Sequence, residues 1–164
     1  DYEDIEKLKI NSSDIAYVTQ TTLSVDETKG LIEALKIKYP QIIGPSADDI
    51  CYATQNRQDA VKQLSLECEI VLVIGSKTSS NSNRLKELAE KCGTKSFLID
   101  DKSDINIEEL KQTMSVGITA GASAPEEIVQ EVISFLYPLG YKTVRNLSEN
   151  NESMTFKLPK ELAD

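Results

Sequence analysis

The chain has 164 residues, and its 18 Lys and Arg against 27 Asp and Glu give a formal charge of −9. This acidic balance excludes proteins that bind nucleic acid or anionic membranes through a basic surface. The sequence contains no histidine, which excludes a Ser/His/Asp or Cys/His catalytic arrangement within it. Its three cysteines form no Cys-x-x-Cys pair, so neither a disulfide framework nor a self-contained zinc or ferredoxin-type site is indicated.

The first third of the sequence predicts a strand, a polar loop and a helix. Residues 15–20 (IAYVTQ) predict the strand. Ser24 has Glu27 three positions later, which is the spacing of a capping box, and the helix that follows is expected to end at Pro40. Residues 44–49 (GPSADD) then predict a loop or a boundary between two lobes.

The same alternation continues through the middle of the sequence. A short strand is predicted over residues 50–54 (ICYAT), with a helix after it that reaches Cys68. Residues 69–74 (EIVLVI) form a continuous apolar run, typical of a strand buried on both faces. A further helix is expected to stop at Gly93, and residues 95–100 (KSFLID) predict the next strand.

The last third contains the clearest strand-turn-helix unit. A short helix is predicted after Asn106, and the next strand ends in the turn GAS, whose Ser123 is expected to cap a helix. Residues 141–147 and 153–158 predict two terminal strands. Strands that alternate with helices in this way predict an α/β fold, a mostly parallel sheet with helices on both faces.

Four of the predicted strands end in loops rich in hydroxyl and amide side chains. In an α/β sheet such loops meet at the carboxyl edge, where ligands bind, and helix N-termini there favour phosphate. No loop has the Gly-Lys-Ser/Thr ending of a P-loop, so nucleotide hydrolysis is not indicated. The loops comprise Thr21, Thr22 and Ser24; Thr54, Gln55 and Asn56; residues 76–83; and residues 119–123.

A single polar loop is explained just as well by helix capping, but four such loops favour a polar ligand pocket. Cys92 is expected in the core because it shares the apolar stripe of its helix, and Cys68 is similar. Cys51 borders a polar loop, which leaves it open between a core position and a place in the pocket. A non-redox phosphate-binding module and a purely structural domain therefore remain alternatives.

Four segments in order carry a specific resemblance to a known family. The segments TQTTLSVDET, DDICYATQNRQ, GSKTSSNSNR and GITAGASAPE together resemble the LytB-type 4-hydroxy-3-methylbut-2-enyl diphosphate reductases. The resemblance implies an iron-sulfur oxidoreductase with three α/β lobes around a central pocket. It also implies that residues 1–47 are the C-terminal part of the second lobe and residues 48–164 the third lobe.

The resemblance also assigns roles to individual residues. It implies that Cys51 is one of the three cysteine ligands of a 4Fe-4S cluster, whose other two ligands lie in an N-terminal portion that this sequence lacks. It makes Thr21 and Thr54 catalytic residues close to the substrate hydroxyl and the cluster. The diphosphate-binding positions that it implies are Ser79, Ser80, Asn81 and Ser123.

The implied reaction is the reductive dehydroxylation of an allylic diphosphate to isopentenyl and dimethylallyl diphosphate, the last step of the methylerythritol phosphate route to isoprenoids. An electron donor such as flavodoxin or ferredoxin is implied as a partner. No apolar run approaches the ~20 residues that span a bilayer, and the N-terminus does not resemble a signal peptide. We therefore expect a cytoplasmic enzyme, of which this chain is an incomplete part.

Overall fold

The computed structural model describes residues 1–45 and 51–147. Within these residues it contains six α-helices, three β-strands and two short 3₁₀ helices, at Lys102–Asp104 and Tyr137–Leu139. The helices are α1 (Tyr2–Lys7), α2 (Val25–Lys38), α3 (Tyr52–Glu67), α4 (Ser80–Lys91), α5 (Ile107–Leu110) and α6 (Glu126–Leu136). The strands are β1 (Ile70–Ile74), β2 (Lys95–Ile99) and β3 (Val116–Ala120).

The three strands form one parallel sheet in the order β2-β1-β3. The central strand β1 has the sequence IVLVI, and all five of its residues are buried. In the register of the sheet, Ile70 pairs with Lys95 on one side and with Val116 on the other. A continuous apolar strand in the centre is expected here because helices cover both faces of a parallel sheet.

The two faces of the sheet have separate hydrophobic clusters. Val71 and Val73 point to one face and pack with Val61 of α3 and with Leu85 and Ala89 of α4. On the other face, the alternate residues of β1 pack with Val132 and Leu136 of α6 and with Leu110 of α5. Helices on both faces of a parallel sheet confirm the predicted α/β fold class.

Most of the predicted helix starts are confirmed at the level of single hydrogen bonds. The Ser24 hydroxyl accepts a hydrogen bond from the Glu27 N–H, and the Asn106 side chain accepts one from the Glu108 N–H. Gly93 follows α4 with φ at +86°, which is the left-handed conformation that glycine adopts readily after a helix. The prediction that Ser123 caps α6 is wrong, because α6 begins after Pro125 and no side chain caps it.

Some of the predicted strands are corrected by the structure. Residues 50–54 were expected to form a strand, but Cys51 is the N-cap of α3 and the helix continues through Thr54; residue 50 lies outside the described residues. A five-residue apolar run does not distinguish a strand from the first turn of a helix. Within the described ranges, residues 15–20 form a single isolated bridge, between Ala16 and Ile43, and not the predicted strand.

The predicted end of the chain is only partly described. No strand forms over residues 141–147 in the part that the structure describes, and the strand predicted over residues 153–158 falls outside it. The expected boundary between residues 47 and 48 also falls outside the described residues. Among the helices of the described ranges, none has both the length and the apolarity needed to cross a bilayer.

Helix α2 docks on the sheet unit through a few polar contacts. Asp26 forms an ion pair with Lys62 of α3, and this contact raises the pKa of the Lys62 ammonium. Glu27 pairs with Arg84 and Lys91 of α4. Exposed ion pairs of this kind contribute little free energy, ~0–1 kcal/mol each, so the orientation of α2 depends more on its buried contacts.

Candidate active site

The strand order creates a crevice at the carboxyl edge of the sheet. From the end of β1 the chain passes to α4 on one face, whereas from the end of neighbouring β3 it passes to α6 on the opposite face. The loops after the adjacent strands β1 and β3 therefore diverge to opposite faces of the sheet and leave a crevice between them. Such a switch point is where open α/β sheets bind their ligands.

The loop after β1 is held together by its own polar side chains. The Ser79 hydroxyl caps α4 by accepting from the Ser82 N–H, and it also accepts from the Ser82 hydroxyl at 3.2 Å. Asn83 donates to the Lys77 and Ser79 carbonyl oxygens. Much of the polar composition of this loop thus serves its own structure.

Asn81 is the exception in this loop. Only 8% of its surface is exposed, and among the described residues neither its amide nitrogen nor its amide oxygen has a hydrogen-bond partner. An unpaired buried amide costs ~1–3 kcal/mol, so its presence calls for an explanation. It lies in the first turn of α4, where free backbone N–H groups and the helix dipole favour an anion.

Gly121 brings the loop after β3 close to this amide. A Cβ atom built on Gly121 would collide with the Ser82 hydroxyl and would lie 3.7 Å from Asn81 Nδ2. The Gly121 N–H donates to the Ile74 carbonyl at the end of β1. A glycine is therefore needed at this position to let the two loops approach.

Ser123 lies in the turn that follows Gly121. The turn is closed by a hydrogen bond from the Ala124 N–H to the Gly121 carbonyl, and the Ser123 side chain is exposed. Ser80, the first residue of α4, is also exposed at the same edge. Hydroxyl groups of both loops are thus available around the buried Asn81 amide.

Cys51 and Thr21 meet at the N-terminus of α3. The Cys51 N–H donates to the Thr21 carbonyl at 3.2 Å, and the side chains of both residues are exposed. Cys51 is the N-cap of α3, and its own side chain makes no capping hydrogen bond. The structure therefore brings together the cysteine and the threonine that the sequence analysis singled out from separate segments.

Thr54 and Arg57 connect this cysteine to the crevice. Thr54 is 3% exposed and its N–H donates to the Cys51 carbonyl. One turn later, Arg57 Nε donates to the Ala120 carbonyl at the end of β3. Helix α3 thus fastens the surroundings of Cys51 to the strand that leads into the Gly121 turn.

The sequence analysis did not single out four residues that shape this edge, although Ser82 and Gly121 lie within two of its polar loops. Ser82 and Gly121 set the approach of the two loops, Arg57 holds the end of β3, and the buried side chain of Gln58 holds the loop before α2. The helical spacing of Thr54, Gln58 and Val61 would have indicated that Gln58 lies on a buried face. The remaining contacts join residues far apart in sequence, so no local pattern could reveal them.

The other two cysteines lie at the opposite end of the sheet unit. Cys68 caps the C-terminus of α3, and partial burial raises the pKa of its thiol, which makes it a poor thiolate ligand. Cys92 follows α4 and is exposed, so its predicted core position is wrong. The apolar stripe of α4 ends at Ala89, before the helix passes the edge of the sheet.

A cluster ligand set cannot be assembled from the described residues alone. Over residues 1–45 and 51–147, no group of three or more His, Cys, Asp or Glu side chains is placed to hold a metal ion. Cys51 fits the requirement for one ligand, because its thiol is exposed at a helix N-terminus and is free of a disulfide. Further thiolates would have to come from outside these residues.

Comparison with known sequences identifies the family to which this chain belongs. The profile of the LytB protein family matches residues 1–137. The chain is 53% identical over 163 residues to the 4-hydroxy-3-methylbut-2-enyl diphosphate reductase of Saccharophagus degradans, covering 99% of this chain and 52% of that protein. It is 52% identical over 161 residues to the reductase of Methylococcus capsulatus, covering 98% of this chain and 51% of that protein.

Comparison with solved structures gives the same picture. The E-1-hydroxy-2-methyl-but-2-enyl-4-diphosphate reductase of Plasmodium falciparum superposes with a TM-score of 0.87 at 33% identity, covering 97% of this chain and 51% of that one. A second reductase structure, described as the terminal enzyme of the non-mevalonate pathway, gives a TM-score of 0.53 at 28% identity. The chain spans about half the length of the curated relatives that it matches.

Proposed function

Because this chain belongs to the LytB protein family, we propose that it forms one wall of the active site of a 4-hydroxy-3-methylbut-2-enyl diphosphate reductase. The reaction is the reductive dehydroxylation of the allylic diphosphate to isopentenyl and dimethylallyl diphosphate. The observation that carries the proposal is the buried, unpaired Asn81 amide at the switch point of the sheet, on the same edge as Cys51.

The substrate diphosphate binds between the two loops at the crevice. Asn81 donates its amide to a phosphate oxygen, and Ser79, Ser80 and Ser123 supply hydroxyl groups around it. A chain with a formal charge of −9 would repel an anion at long range, so the short-range donors and the N-terminus of α4 must outweigh that repulsion. Hydrogen bonds to a charged group contribute ~1.5–3 kcal/mol each.

Cys51 holds one iron of a 4Fe-4S cluster through its thiolate. When bound, the cluster would supply the two electrons and Lewis-acid activation of the substrate hydroxyl. The exposed position of Cys51 at the N-terminus of α3 and its freedom from a disulfide support this role. The missing thiolates come from residues outside this chain.

Thr21 and Thr54 flank Cys51 and are the catalytic hydroxyl groups of this wall. Thr21 is bonded through its carbonyl to the Cys51 N–H, so its hydroxyl is within reach of a group bound beside the thiolate. It orients the substrate hydroxyl and relays a proton to it from solvent, taking up one proton for each that it passes on. Thr54, buried in the first turn of α3 and bonded through its N–H to the Cys51 carbonyl, lies close to the cluster site.

Residues 1–47 are the C-terminal part of a second lobe and residues 48–164 a third lobe in a three-lobed protein. The relatives are about twice as long as this chain, which supports the presence of a further part outside it. The working protein is cytoplasmic, and a flavodoxin or ferredoxin reduces its cluster.

The test compares this chain with an extended protein, defined as this chain joined to the N-terminal half of the Saccharophagus degradans relative. Both are purified without oxygen and analysed for iron, sulfide and the visible spectrum. We expect a cluster and reductase activity in the extended protein, loss of both on Cys51→Ser, and no stable cluster on this chain alone. A stable four-iron cluster on this chain, or an active extended protein carrying Cys51→Ser, contradicts the proposal.

The second candidate is a phosphate-binding module without redox chemistry. It is favoured by one observation: the Asn81 crevice is formed within the described residues, whereas these residues offer a single cluster thiol. Under this alternative, inorganic diphosphate binds to the chain and Cys51→Ala leaves that binding intact. An extended protein that binds diphosphate but contains no iron would decide in its favour.

A further inference from the structure

Gln58 is a buried primary amide whose two ends are both used. Its side chain is 2% exposed, although glutamine is usually a surface residue. Gln58 Oε1 accepts from the Val25 N–H at 3.1 Å, and Nε2 donates to the Leu23 carbonyl at 2.8 Å. The Gln58 side chain of α3 thus provides hydrogen-bond partners for two backbone groups of the turn that leads into α2.

The same turn begins at Thr21, which is bonded to the first residue of α3. The Cys51 N–H donates to the Thr21 carbonyl, so the segment from Thr21 to Val25 is attached to α3 at two levels. Gln58 lies one turn after Thr54 on the buried side of the helix. The attachment at Cys51 and the attachment at Gln58 therefore lie on the same face of α3, the first where the helix begins and the second further along it in the interior.

The other links between α2 and the sheet unit are weaker. They include ion pairs of Asp26 with Lys62 and of Glu27 with Arg84, whose side chains are at least about one-third exposed. Water and salt screen such pairs. A buried amide that is lost leaves two backbone groups without partners, which is a larger penalty.

We propose that Gln58 is a positioning residue that holds the backbone of Thr21, and with it the Thr21 side chain, next to Cys51. The inference rests on the proposed function for the role of Thr21, but the geometric part does not depend on it. The two hydrogen bonds described for the Gln58 amide go to Leu23 and Val25, so it acts through the backbone of residues 23–25. Displacement of a catalytic group by ~1 Å can lower a rate by about a hundredfold.

The first experiment measures amide hydrogen exchange on this chain in solution. Gln58→Met keeps the length of the side chain and removes both hydrogen bonds. We expect the Val25 amide to exchange at least about tenfold faster, and the Cys51 amide to follow it because the Thr21 carbonyl moves away. Gln63→Met is the matched control, since Gln63 lies on the same helix, is exposed and, in the part of the chain that the structure describes, hydrogen-bonds through its side chain to Glu67 alone.

Gln58→Glu is the second variant, for use if Gln58→Met does not fold. It keeps the shape of the side chain and the acceptor for the Val25 N–H, but an ionised carboxylate has no donor for the Leu23 carbonyl. We expect faster exchange of the Cys51 amide here as well, by ~3-fold or more. If the Cys51 amide keeps its protection in both variants, Gln58 does not position this segment and the inference is wrong.

The second experiment measures steady-state kinetics of the extended protein. We expect Gln58→Met to lower kcat about tenfold to a hundredfold and to change KM by less than about threefold, because the diphosphate loops are untouched. A change in KM alone, or an equal loss in Gln63→Met, would overturn the inference. If the unsubstituted extended protein has no reductase activity, the proposed function fails, and the exchange data still decide whether Gln58 positions Thr21.

Discussion

The loops after β1 and β3 are both rich in hydroxyl groups, yet they use them differently. In the loop after β1, Ser79 and Asn83 bond to neighbouring backbone groups and shape the start of α4. In the loop after β3, Pro125 precedes α6, no side chain caps that helix, and Ser123 is exposed. Polar composition alone therefore does not identify ligand-binding residues; what matters is which polar groups the local structure leaves unused.

Asn81 is the clearest unused group, and its removal gives the largest expected effect. Asn81→Ala should weaken binding of inorganic diphosphate by about 10-fold to 100-fold, because one hydrogen bond to a charged oxygen is lost. The free energy of unfolding should stay the same or rise, since a buried unpaired amide disappears. Isothermal titration calorimetry and urea unfolding measure the two effects.

Asn83→Ala is the matched control for this prediction. The Asn83 amide already donates to two backbone carbonyls, so its loss should destabilise the loop by ~1 kcal/mol without a comparable loss of affinity. If Asn81→Ala and Asn83→Ala change diphosphate affinity and the free energy of unfolding alike, hydrogen bonding within the loop does not distinguish structural side chains from ligand-binding ones.

Gly121→Val tests the close approach of the two loops. The added side chain collides with the Ser82 hydroxyl, and we expect the free energy of unfolding to fall by ~1–3 kcal/mol. Urea unfolding followed by circular dichroism gives this value. Ala122→Val places the same side chain on the exposed neighbouring residue, and an equal loss of stability there would argue against a specific contact at Gly121.

Ser79→Ala tests the structural use of the first loop. Loss of the N-cap of α4 should lower the free energy of unfolding by ~0.5–2 kcal/mol. It should also weaken diphosphate binding, because the first turn of α4 frays. A stability equal to that of the unsubstituted chain in urea would mean that the cap makes no net contribution.

Ser123→Ala should have the smallest effect on stability. The residue is exposed and does not cap α6, so we expect a change within about 0.5 kcal/mol. Diphosphate affinity should still fall by about tenfold if the hydroxyl binds the ligand. The Ser79 and Ser123 variants should be compared side by side by calorimetry and urea unfolding. If both lost equal stability, the two loops would not differ in how they use their hydroxyl groups.

The sequence predicted the regular elements of the sheet unit well because their signals are local. The IVLVI run, the caps at Ser24 and Asn106 and the stop at Gly93 each depend on residues within one turn or strand. The strand predicted over residues 50–54 failed because a short apolar run also suits the start of a helix.

The candidate site was predictable only in part. Parallel strands gather their loops at one edge, so the sequence could place the polar loops together. It could not show that Asn81 is left without a partner, because that depends on how Gly121 and Ser82 meet. The amide of Gln58 bridges residues 33 and 35 positions away, which no periodicity encodes.

The length of α3 has a consequence for the chemistry of Cys51 in air. Cys51 and Cys68 stand at opposite ends of that helix, which at ~1.5 Å per residue separates them by about 25 Å. A disulfide requires Cα atoms within ~7 Å, so Cys68 cannot protect the Cys51 thiol within the same folded molecule. We therefore expect oxygen or peroxide to oxidise the Cys51 thiol either to a sulfenic acid or to a disulfide bond with a cysteine of a second molecule.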